Sequence, residues 1–364
     1  MAQQRSEPAP DLEITHEGAS GAQPRESRAW LRTLGIGVGI LVLIGLVPLT
    51  GDQSALSLWT FIAMYCVLAQ SWNFIGGFTG RAAFGNVAFF GIGAYTVSLI
   101  LQANRPYWLG LVLAPLIAGL FAFLLGLPVL RLRGHYFAIA TLGVAEALGE
   151  FVAAKNIGGT SGEISLTPPA LNFQVSNDLF FYGFLALSLL TLLGTTWLTR
   201  SRFGYALVAI RENEQAAEAL GIPTYWYKVG AFVLSALPTA VAGGLFAYWQ
   251  LSFDPLGEGG AFDVTISVAM ILMTFLGGAG TLLGPILGAI IIEFLDQYTS
   301  IAFTSIHGPL LGALIILVTI FLPQGLVRLV EELGRTPVGV KQSYSVRVRQ
   351  GVRRVARFIA SNGI

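Results

Sequence analysis

Long apolar stretches separated by short polar loops run through most of this chain. Several of them reach about 20 residues, the length that a helix needs to cross the apolar core of a bilayer. Backbone amides inside a bilayer must find partners within the protein, so the stretches predict helices rather than open strands. The pattern therefore predicts an all-α polytopic membrane protein with about ten spans, at about residues 33–50, 55–76, 82–101, 107–130, 136–153, 179–199, 229–250, 265–279, 283–299 and 306–323.

The two ends of the chain differ from this pattern. Residues 1–30 are rich in Pro, Ser, Glu and Gln and cannot bury enough apolar surface to fold, so they predict a disordered tail. The first apolar run begins too late for a cleaved signal peptide, and we expect it to be kept as an anchor. Residues 31–327 then form the transmembrane domain. Residues 328–364 form a basic tail that either lies along anionic headgroups or only sets the topology.

Composition and charge agree with a membrane location. Hydrophobic residues make up 54% of the chain and charged residues only 11%, whereas about a quarter of the residues in a soluble protein are charged. Arg and Lys fall mainly in alternate loops, and the opposite loops hold only Arg105 and Lys155. Because positively charged loops stay in the cytoplasm, this distribution predicts that both termini are cytoplasmic.

One polar stretch interrupts the apolar pattern between the sixth and seventh predicted spans. This polar segment, residues 201–222, reads SRFGYALVAIRENEQAAEALGI, and Phe203, Leu207 and Ile210 recur in it at helical spacing. We expect a helix over about residues 203–221 that ends at a glycine. The residues alone leave two interpretations open. The helix either only connects two spans in solvent, or offers a docking surface where small residues allow another protein to approach closely.

Within the polar segment, two alanines are followed by three residues and a glycine, which resembles the EAA loop of bacterial ABC importer permeases. The fuller stretch RENEQAAEALGI resembles the form found in branched-chain amino acid importer permeases of the LivM type. The resemblance covers the chain from about residue 55 to 330. Four other stretches are similar to sequences of that family: AFFGIGAY (88–95), RLRGHYFAIATLG (131–143), NIGGTSGE (156–163) and FLPQGL (321–326).

The resemblance implies the fold of the larger class of ABC importer permeases, with about ten helices. It implies a membrane-spanning subunit in the bacterial inner membrane that translocates branched-chain amino acids or a similar small polar solute. Related permeases carry urea or amides, which are the alternative substrates. The implied partners are a homologous permease subunit in a heterodimer, two ATPase subunits that bind ATP and Mg, and a periplasmic solute-binding protein. The chain itself is expected to bind no cofactor and no nucleic acid.

The resemblance also gives roles to particular residues. The polar segment becomes a coupling helix that docks into a cleft on an ATPase subunit. Its expected contacts are Arg211, Glu212 and Glu214 as polar groups and Ala216, Ala217 and Gly221 as the close-packed surface. On the other side of the membrane, the residues expected to face the solute-binding protein are Gly158, Gly159 and Thr160.

Glycines crowd two regions of the apolar pattern, residues 77–93 and 277–288, in which the stretches FIGGFTG and FLGGAGTLLG are loosely alike. Broken helices around a solute pathway would explain this enrichment, and so would ordinary packing of helices through small residues. This chain has Asn86 where the family that it resembles more often has a histidine. On the first interpretation, the candidate path residues are Asn73, Asn86, Gly91, Gly93 and Tyr95.

Residues suited to chemistry are scattered along the chain. The three histidines lie in a tail, a loop and the start of a span, away from any cysteine or carboxylate at metal-ligand spacing. The chain also has no G-x-x-x-x-G-K-[ST] motif to bind phosphates. We therefore expect no catalytic or metal site, and the energy for transport must come from partner subunits. Carboxylates within the predicted spans keep an ion-coupled secondary transporter open as an alternative: Glu146, Glu150, Glu293 and Asp296.

Overall fold

The computed structural model describes residues 26–50, 53–132, 134–167, 173–257, 259–302 and 325–327. Within these ranges the prediction of a helical protein is confirmed. The helices are α1 Glu26–Ile44, α2 Gln53–Thr79, α3 Val87–Gln102, α4 Tyr107–Val129, α5 His135–Ala154, α6 Phe173–Arg200, α7 Arg202–Glu212, α8 Glu214–Ala219, α9 Thr224–Gln250, α10 Val264–Gly277 and α11 Gly284–Ala302. Short 3-10 turns lie at Val47–Thr50 and Thr160–Gly162, and two short strands are β1 Ile164–Ser165 and β2 Ser252–Phe253.

Five helices of the described chain are long and apolar enough to cross a membrane, namely α2, α4, α5, α6 and α9. Each of the first nine predicted spans overlaps a described helix. The tenth, at residues 306–323, lies outside the described residues. The total of about ten spans therefore stays a prediction, whereas the multi-pass character is confirmed.

Several predicted boundaries differ from the structure by about five residues, and two of them change the description of an element. The first helix begins at Glu26, so residues 26–30 of the expected disordered tail are helical; the rest of that tail and the basic tail at 328–364 lie outside the described residues. α3 begins at Val87 rather than near residue 82. The chain leaves α2 at Gly80, whose φ of +71° suits glycine, and continues as a loop until α3 starts.

α9 lies at the centre of the described bundle and contacts α2, α3, α4 and α6. Its crossing with α3 is very close. A Cβ on Gly93 would overlap the carbonyl oxygen of Ala240, and a Cβ on Gly243 would overlap the carbonyl oxygen of Phe90. Residues without a side chain let two helix backbones approach this far. Buried apolar side chains from α2, α3, α4 and α5 pack around this crossing.

Loops gather at two opposite ends of the bundle. At one end β1 and β2 pair antiparallel, with Ile164 opposite Phe253, and so join the loop after α5 to the loop after α9. At the other end the polar segment connects α6 to α9 and contacts the end of α2. This second end holds the candidate site.

Candidate functional site

The polar segment contains two helices rather than the single helix expected over residues 203–221. α7 ends at Glu212, α8 begins at Glu214, and Asn213 between them is extended, with φ −159° and ψ 105°. The Oδ1 of Asn213 accepts a hydrogen bond from the backbone N–H of Ala216 at 3.0 Å. Asparagine is favoured at this position because its side chain satisfies a free amide of the first helical turn. One residue therefore ends α7 and starts α8.

The prediction that a glycine ends the segment is confirmed. Gly221 has a φ of +83°, which glycine adopts without the steric cost of a Cβ. Its N–H donates to the carbonyl of Glu218, and the N–H of Ile222 donates to the carbonyl of Ala217. This pair of bonds is the Schellman arrangement that closes a helix C-terminus. It fixes the direction in which the chain leaves α8 and enters α9.

One side of the polar segment packs against the bundle. Leu207 is buried, and the ring of Phe203 stacks on Tyr227 of α9 with 5.1 Å between ring centroids. Ala217 is only 2% exposed. Its assignment to a partner-facing surface is therefore wrong, because its side chain is covered by this chain. Ala216, one residue earlier, is exposed.

Glu214 forms ion pairs that tie the polar segment to two other parts of the bundle. Its Oε2 accepts from the guanidinium of Arg81, in the loop after α2, at 2.9 Å, and its Oε1 accepts from Nζ of Lys228, in α9, at 2.5 Å. Partial burial acts to raise the pKa of Glu214. The hydrogen bonds and charges of Lys228 and Arg81 outweigh it and hold that pKa below its usual value. Glu214 therefore binds within the chain, and because its side chain is 31% exposed, its expected role as a partner contact stays a prediction.

Arg211 also binds within the chain. Its Nη1 donates to the carbonyl oxygen of Gly77, in the last turn of α2, at 2.8 Å, and its Nη2 donates to Oε1 of Glu212 at 3.1 Å. The side chain of Glu212 is 71% exposed. Of the three predicted polar contacts, Glu212 is thus the one that lies mainly on the outside.

The outward side of the polar segment carries a small surface of mixed character. Leu220, at the end of α8, is 82% exposed, and Trp226 at the start of α9 is also exposed. Glu212, Ala216 and Gly221 are exposed nearby in the chain. We call these five residues, four in the polar segment and Trp226 just after it, the outer surface of the polar segment. A protruding apolar group flanked by small and acidic residues suits insertion into a pocket on another protein.

The predicted path residues on α3 are covered by their neighbours. A Cβ on Gly91 would overlap the ring of Phe262, and Gly93 meets the backbone of α9. Tyr95 stacks on Phe262 with 5.6 Å between ring centroids, and its hydroxyl donates to the carbonyl of Gly162 at 2.6 Å. The two glycines thus serve close packing, the second of the two interpretations that the sequence left open.

The two predicted path asparagines are both buried but differ in their bonding. The Oδ1 of Asn73 accepts from the N–H of Gly280 at 2.8 Å, and its Nδ2 donates to the carbonyl of Thr281 at 3.0 Å. Asn86, just before α3, is 0% exposed, and its amide has no hydrogen-bond partner among the described residues. An unpaired buried polar group costs about 1–3 kcal/mol. Asn86 is therefore the path candidate whose hydrogen-bonding groups the fold leaves unused.

At the opposite end, the loop expected to face a binding protein is tied to the bundle. The carbonyl of Gly158 accepts from Nε2 of Gln102, at the end of α3, at 2.8 Å. Gly158 and Gly159 are half-buried and Thr160 is exposed. Of these three residues, Thr160 is the best placed to touch another protein.

Arg81 and Lys228 are site residues that the sequence marked only as topology signals. They lie 133 and 14 residues from Glu214 along the chain, and no local spacing connects the three charges. Glu146 and Glu150, considered for ion coupling, have exposed side chains on α5. Among the described residues, no group of His, Cys, Asp or Glu is placed to hold a metal ion. The described side chains at this end form ion pairs and hydrogen bonds that hold the polar segment against the bundle.

Comparison with known proteins gives a family. The chain matches the model of the branched-chain amino acid transport system permease component over residues 54–319. It is 32% identical over 318 residues to the high-affinity branched-chain amino acid transport system permease protein LivM of Escherichia coli (strain K12), which covers 80% of this chain and 74% of that protein. LivM of Salmonella typhimurium (strain LT2) is 30% identical over the same shares. The autoinducer 2 import system permease protein LsrC of Yersinia pseudotuberculosis (serotype IB) is 31% identical over 213 residues, 57% of this chain and 59% of that protein. No solved structure matches the chain.

The matched range includes the polar segment and the helices from α2 to α11. The relatives are permease proteins of transport systems, which agrees with the apolar helices and with a transport rather than an enzymatic role. The family expected from the polar segment is thereby confirmed. This chain belongs to the family of branched-chain amino acid transport system permease components.

Proposed function

We propose that this chain is the membrane-spanning permease subunit of an ABC importer in a bacterial inner membrane, with both termini in the cytoplasm. It works with a homologous permease subunit, two ATPase subunits that bind ATP and Mg, and a periplasmic solute-binding protein. The observation that carries the proposal is the polar segment. One of its sides is anchored to the bundle through Glu214, and the other exposes Leu220 at its tip.

The outer surface of the polar segment is the proposed contact with an ATPase subunit. Leu220 is the apolar anchor and Ala216 lets the partner approach the backbone of α8. Glu212 supplies a negative charge at the rim. Because Glu214 is paired with Arg81 and Lys228, a push on this surface is passed to α2 and α9 rather than absorbed by a loose loop.

The proposed solute is a branched-chain amino acid or a similar small polar molecule. This follows the names of the LivM relatives, which match over most of the chain. The LsrC relatives match over a shorter part of the chain, and their name gives autoinducer 2 as the imported molecule. Urea or amides are the alternative solutes. Uptake of labelled leucine, urea and autoinducer 2 by one reconstituted complex separates these substrates.

Asn86 is the proposed contact with the solute along the path. Its amide is buried and unpaired among the described residues, so it can donate to a carboxylate and accept from an ammonium group when the helices around it separate. Replacing Asn86 by Leu, which has similar volume, is expected to raise the KM for uptake while leaving ATPase binding unchanged. Thr160, on the opposite end, is the proposed contact with the solute-binding protein.

The docking proposal is tested with Leu220→Asp. A charge at the apolar anchor is expected to lower the amount of ATPase that copurifies with the permease by about tenfold, since 1.4 kcal/mol corresponds to that factor. The matched control is Leu31→Asp, which places the same charge on an exposed leucine just before the first predicted span. Equal ATPase recovery from Leu220→Asp and wild-type permease would overturn the docking surface.

The energy source is tested in the intact complex. Uptake is expected to stop when ATP is depleted and to continue when an uncoupler collapses the proton gradient. Uptake that continues without ATP and stops with the uncoupler would instead establish an ion-coupled carrier.

A further inference from the structure

Two glycine-rich turns meet beside the polar segment. The first is the end of α2 near Gly77, and the second, residues 278–283, connects α10 to α11. A Cβ on Gly77 would lie 2.6 Å from the backbone nitrogen of Gly280. Gly325 packs on the same turn, since its Cβ would lie 2.6 Å from the nitrogen of Gly278. Glycine permits three distant parts of the chain to touch through their backbones here.

Asn73 fastens the 278–283 turn to α2. It lies one turn before Gly77 on α2, is buried, and bonds both ends of its amide to backbone groups of Gly280 and Thr281. Buried backbone groups outside regular structure need such side-chain partners. The amide of Asn73 therefore sets the position of the turn relative to α2.

Arg211 reaches the same place from α7. The carbonyl of Gly77 is among the last four of α2, which lack partners within the helix, and Arg211 donates to it at 2.8 Å. The guanidinium also lies against the second turn, because a Cβ on Gly280 would overlap its Nη1. A positive charge at a helix C-terminus is favourable. Arg211 therefore joins α7 to both turns.

We propose that Arg211 and Asn73 form a relay that transmits movement of the polar segment to the 278–283 turn, and through that turn to α10 and α11. The inference rests on the proposed function, because the relay acts only when a partner moves the polar segment. Displacement of α7 pulls on Gly77 through Arg211, and Asn73 then moves the turn. Both are positioning residues, since they act through other groups rather than on the solute.

The planar guanidinium is essential to this arrangement. Arg211 contacts the carbonyl of Gly77 and the carboxylate of Glu212 with two different nitrogens. A lysine ammonium is a compact charge on a flexible stem and does not reproduce this fork. Arg211→Lys therefore keeps the charge of α7 while removing the directed contact to α2.

The test uses the reconstituted complex with leucine as solute and measures the number of leucines imported per ATP hydrolysed. Arg211→Lys and Asn73→Leu are each expected to lower this ratio by about tenfold, a typical size for coupling between sites. The double variant is expected to import as many leucines per ATP as the single variants do. If both residues act in one pathway, losing the second has no additional effect. ATPase copurification is expected to stay at the wild-type level. The matched control is Arg202→Lys, which alters an exposed arginine on the same helix.

A second measurement uses the purified permease without partners. Hydrogen exchange at the amides of Gly280 and Thr281 is expected to quicken in Arg211→Lys, although this variant retains Asn73. Because no ATPase is present in this measurement, quicker exchange follows from the contacts of Arg211 within the chain and not from a contact between Arg211 and an ATPase. This readout also covers the case in which Asn73→Leu fails to accumulate in the membrane.

Unchanged import per ATP in both single variants would overturn the relay, as would losses that multiply in the double variant. Unchanged exchange in Arg211→Lys would overturn it as well. These outcomes are distinct from failure of the proposed function, in which the wild-type permease itself recovers no ATPase subunit.

Discussion

Glu214 shows how much one side chain contributes at the residue scale. It bonds both a loop after α2 and the start of α9, and Lys228, one of its partners, is only 5% exposed. Loss of the carboxylate would leave that buried ammonium without its counter-charge, which costs more than the loss of an exposed ion pair. The ion pairs of Glu214 therefore hold the polar segment in position against α2 and α9.

Replacing Glu214 by Gln is therefore expected to lower the free energy of unfolding by about 2 kcal/mol at neutral pH, because a hydrogen-bonded charge pair is broken. Thermal unfolding of the purified permease in detergent measures the change. The matched control is Glu212→Gln, next to it but largely exposed, for which we expect less than about 0.5 kcal/mol. Equal effects of the two substitutions would contradict the role given to Glu214.

The same ion pairs have a defined pH dependence. The pKa of Glu214 in the folded protein lies below its ordinary value of 4.5, so the ion pairs stabilise the fold fully above that value. This stabilisation is lost as pH falls through the folded-state pKa. The stability difference between wild type and Glu214→Gln is thus expected to stay constant from about pH 8 to 6 and to shrink below about 4.5. If the stability difference between wild type and Glu214→Gln shrank as the pH rose, the pKa of Glu214 would not be lowered by its ion pairs. That result would contradict the role given to these pairs.

Gly221 provides a residue-scale test of backbone geometry. Its φ is +83°, and a Cβ there would meet nothing within 4 Å, so the backbone rather than packing limits substitution. Gly221→Val is expected to cost about 1–3 kcal/mol of strain and to abolish solute-stimulated ATP hydrolysis, whereas Gly221→Asn tolerates the left-handed region and retains most of it. ATPase assays of both variants in proteoliposomes make the comparison. Full activity of the valine variant would mean that the exit from α8 is not constrained.

At the scale of elements, the α3–α9 crossing is a very close contact between two helix backbones. Gly93 and Gly243 each face a backbone carbonyl of the other helix, so neither position has room for a side chain. Hydropathy predicted that both helices exist, because long apolar runs are read directly from the sequence. It did not predict the late start of α3 or the break at Asn213. Both depend on turns and side-chain hydrogen bonds, which the spacing of apolar residues does not reveal.

Gly93→Leu is expected to reduce the amount of folded permease sharply, because overpacking a tight core costs about 1–3 kcal/mol or more. Gly143 on α5 gives a matched control, since a Cβ there would meet nothing within 4 Å. Gly143→Leu should accumulate at the wild-type level. Size-exclusion profiles of the two variants show the outcome, and a well-folded Gly93→Leu permease would contradict the close crossing.

At the scale of the whole molecule, the sequence predicted the family and the helical polar segment but not the orientation of its side chains. The polar segment and Gly221 carry local signals that can be read from the residues. The inward placement of Ala217, Arg211 and Glu214 depends on Gly77, Arg81 and Lys228, which meet them only after folding. Periodicity identifies the faces of a helix, but the neighbouring parts of the chain decide which face is covered.

α9 has one further consequence. It starts directly after the polar segment and ends two residues before β2, which is paired to the loop after α5. Its 27 residues span about 40 Å at 1.5 Å per residue. Such a rod acts as a lever. A tilt of about 5° at one end displaces the other by about 3.5 Å over that length. On the proposed function, a small shift at the polar segment would therefore reach the loops at the opposite end of the bundle.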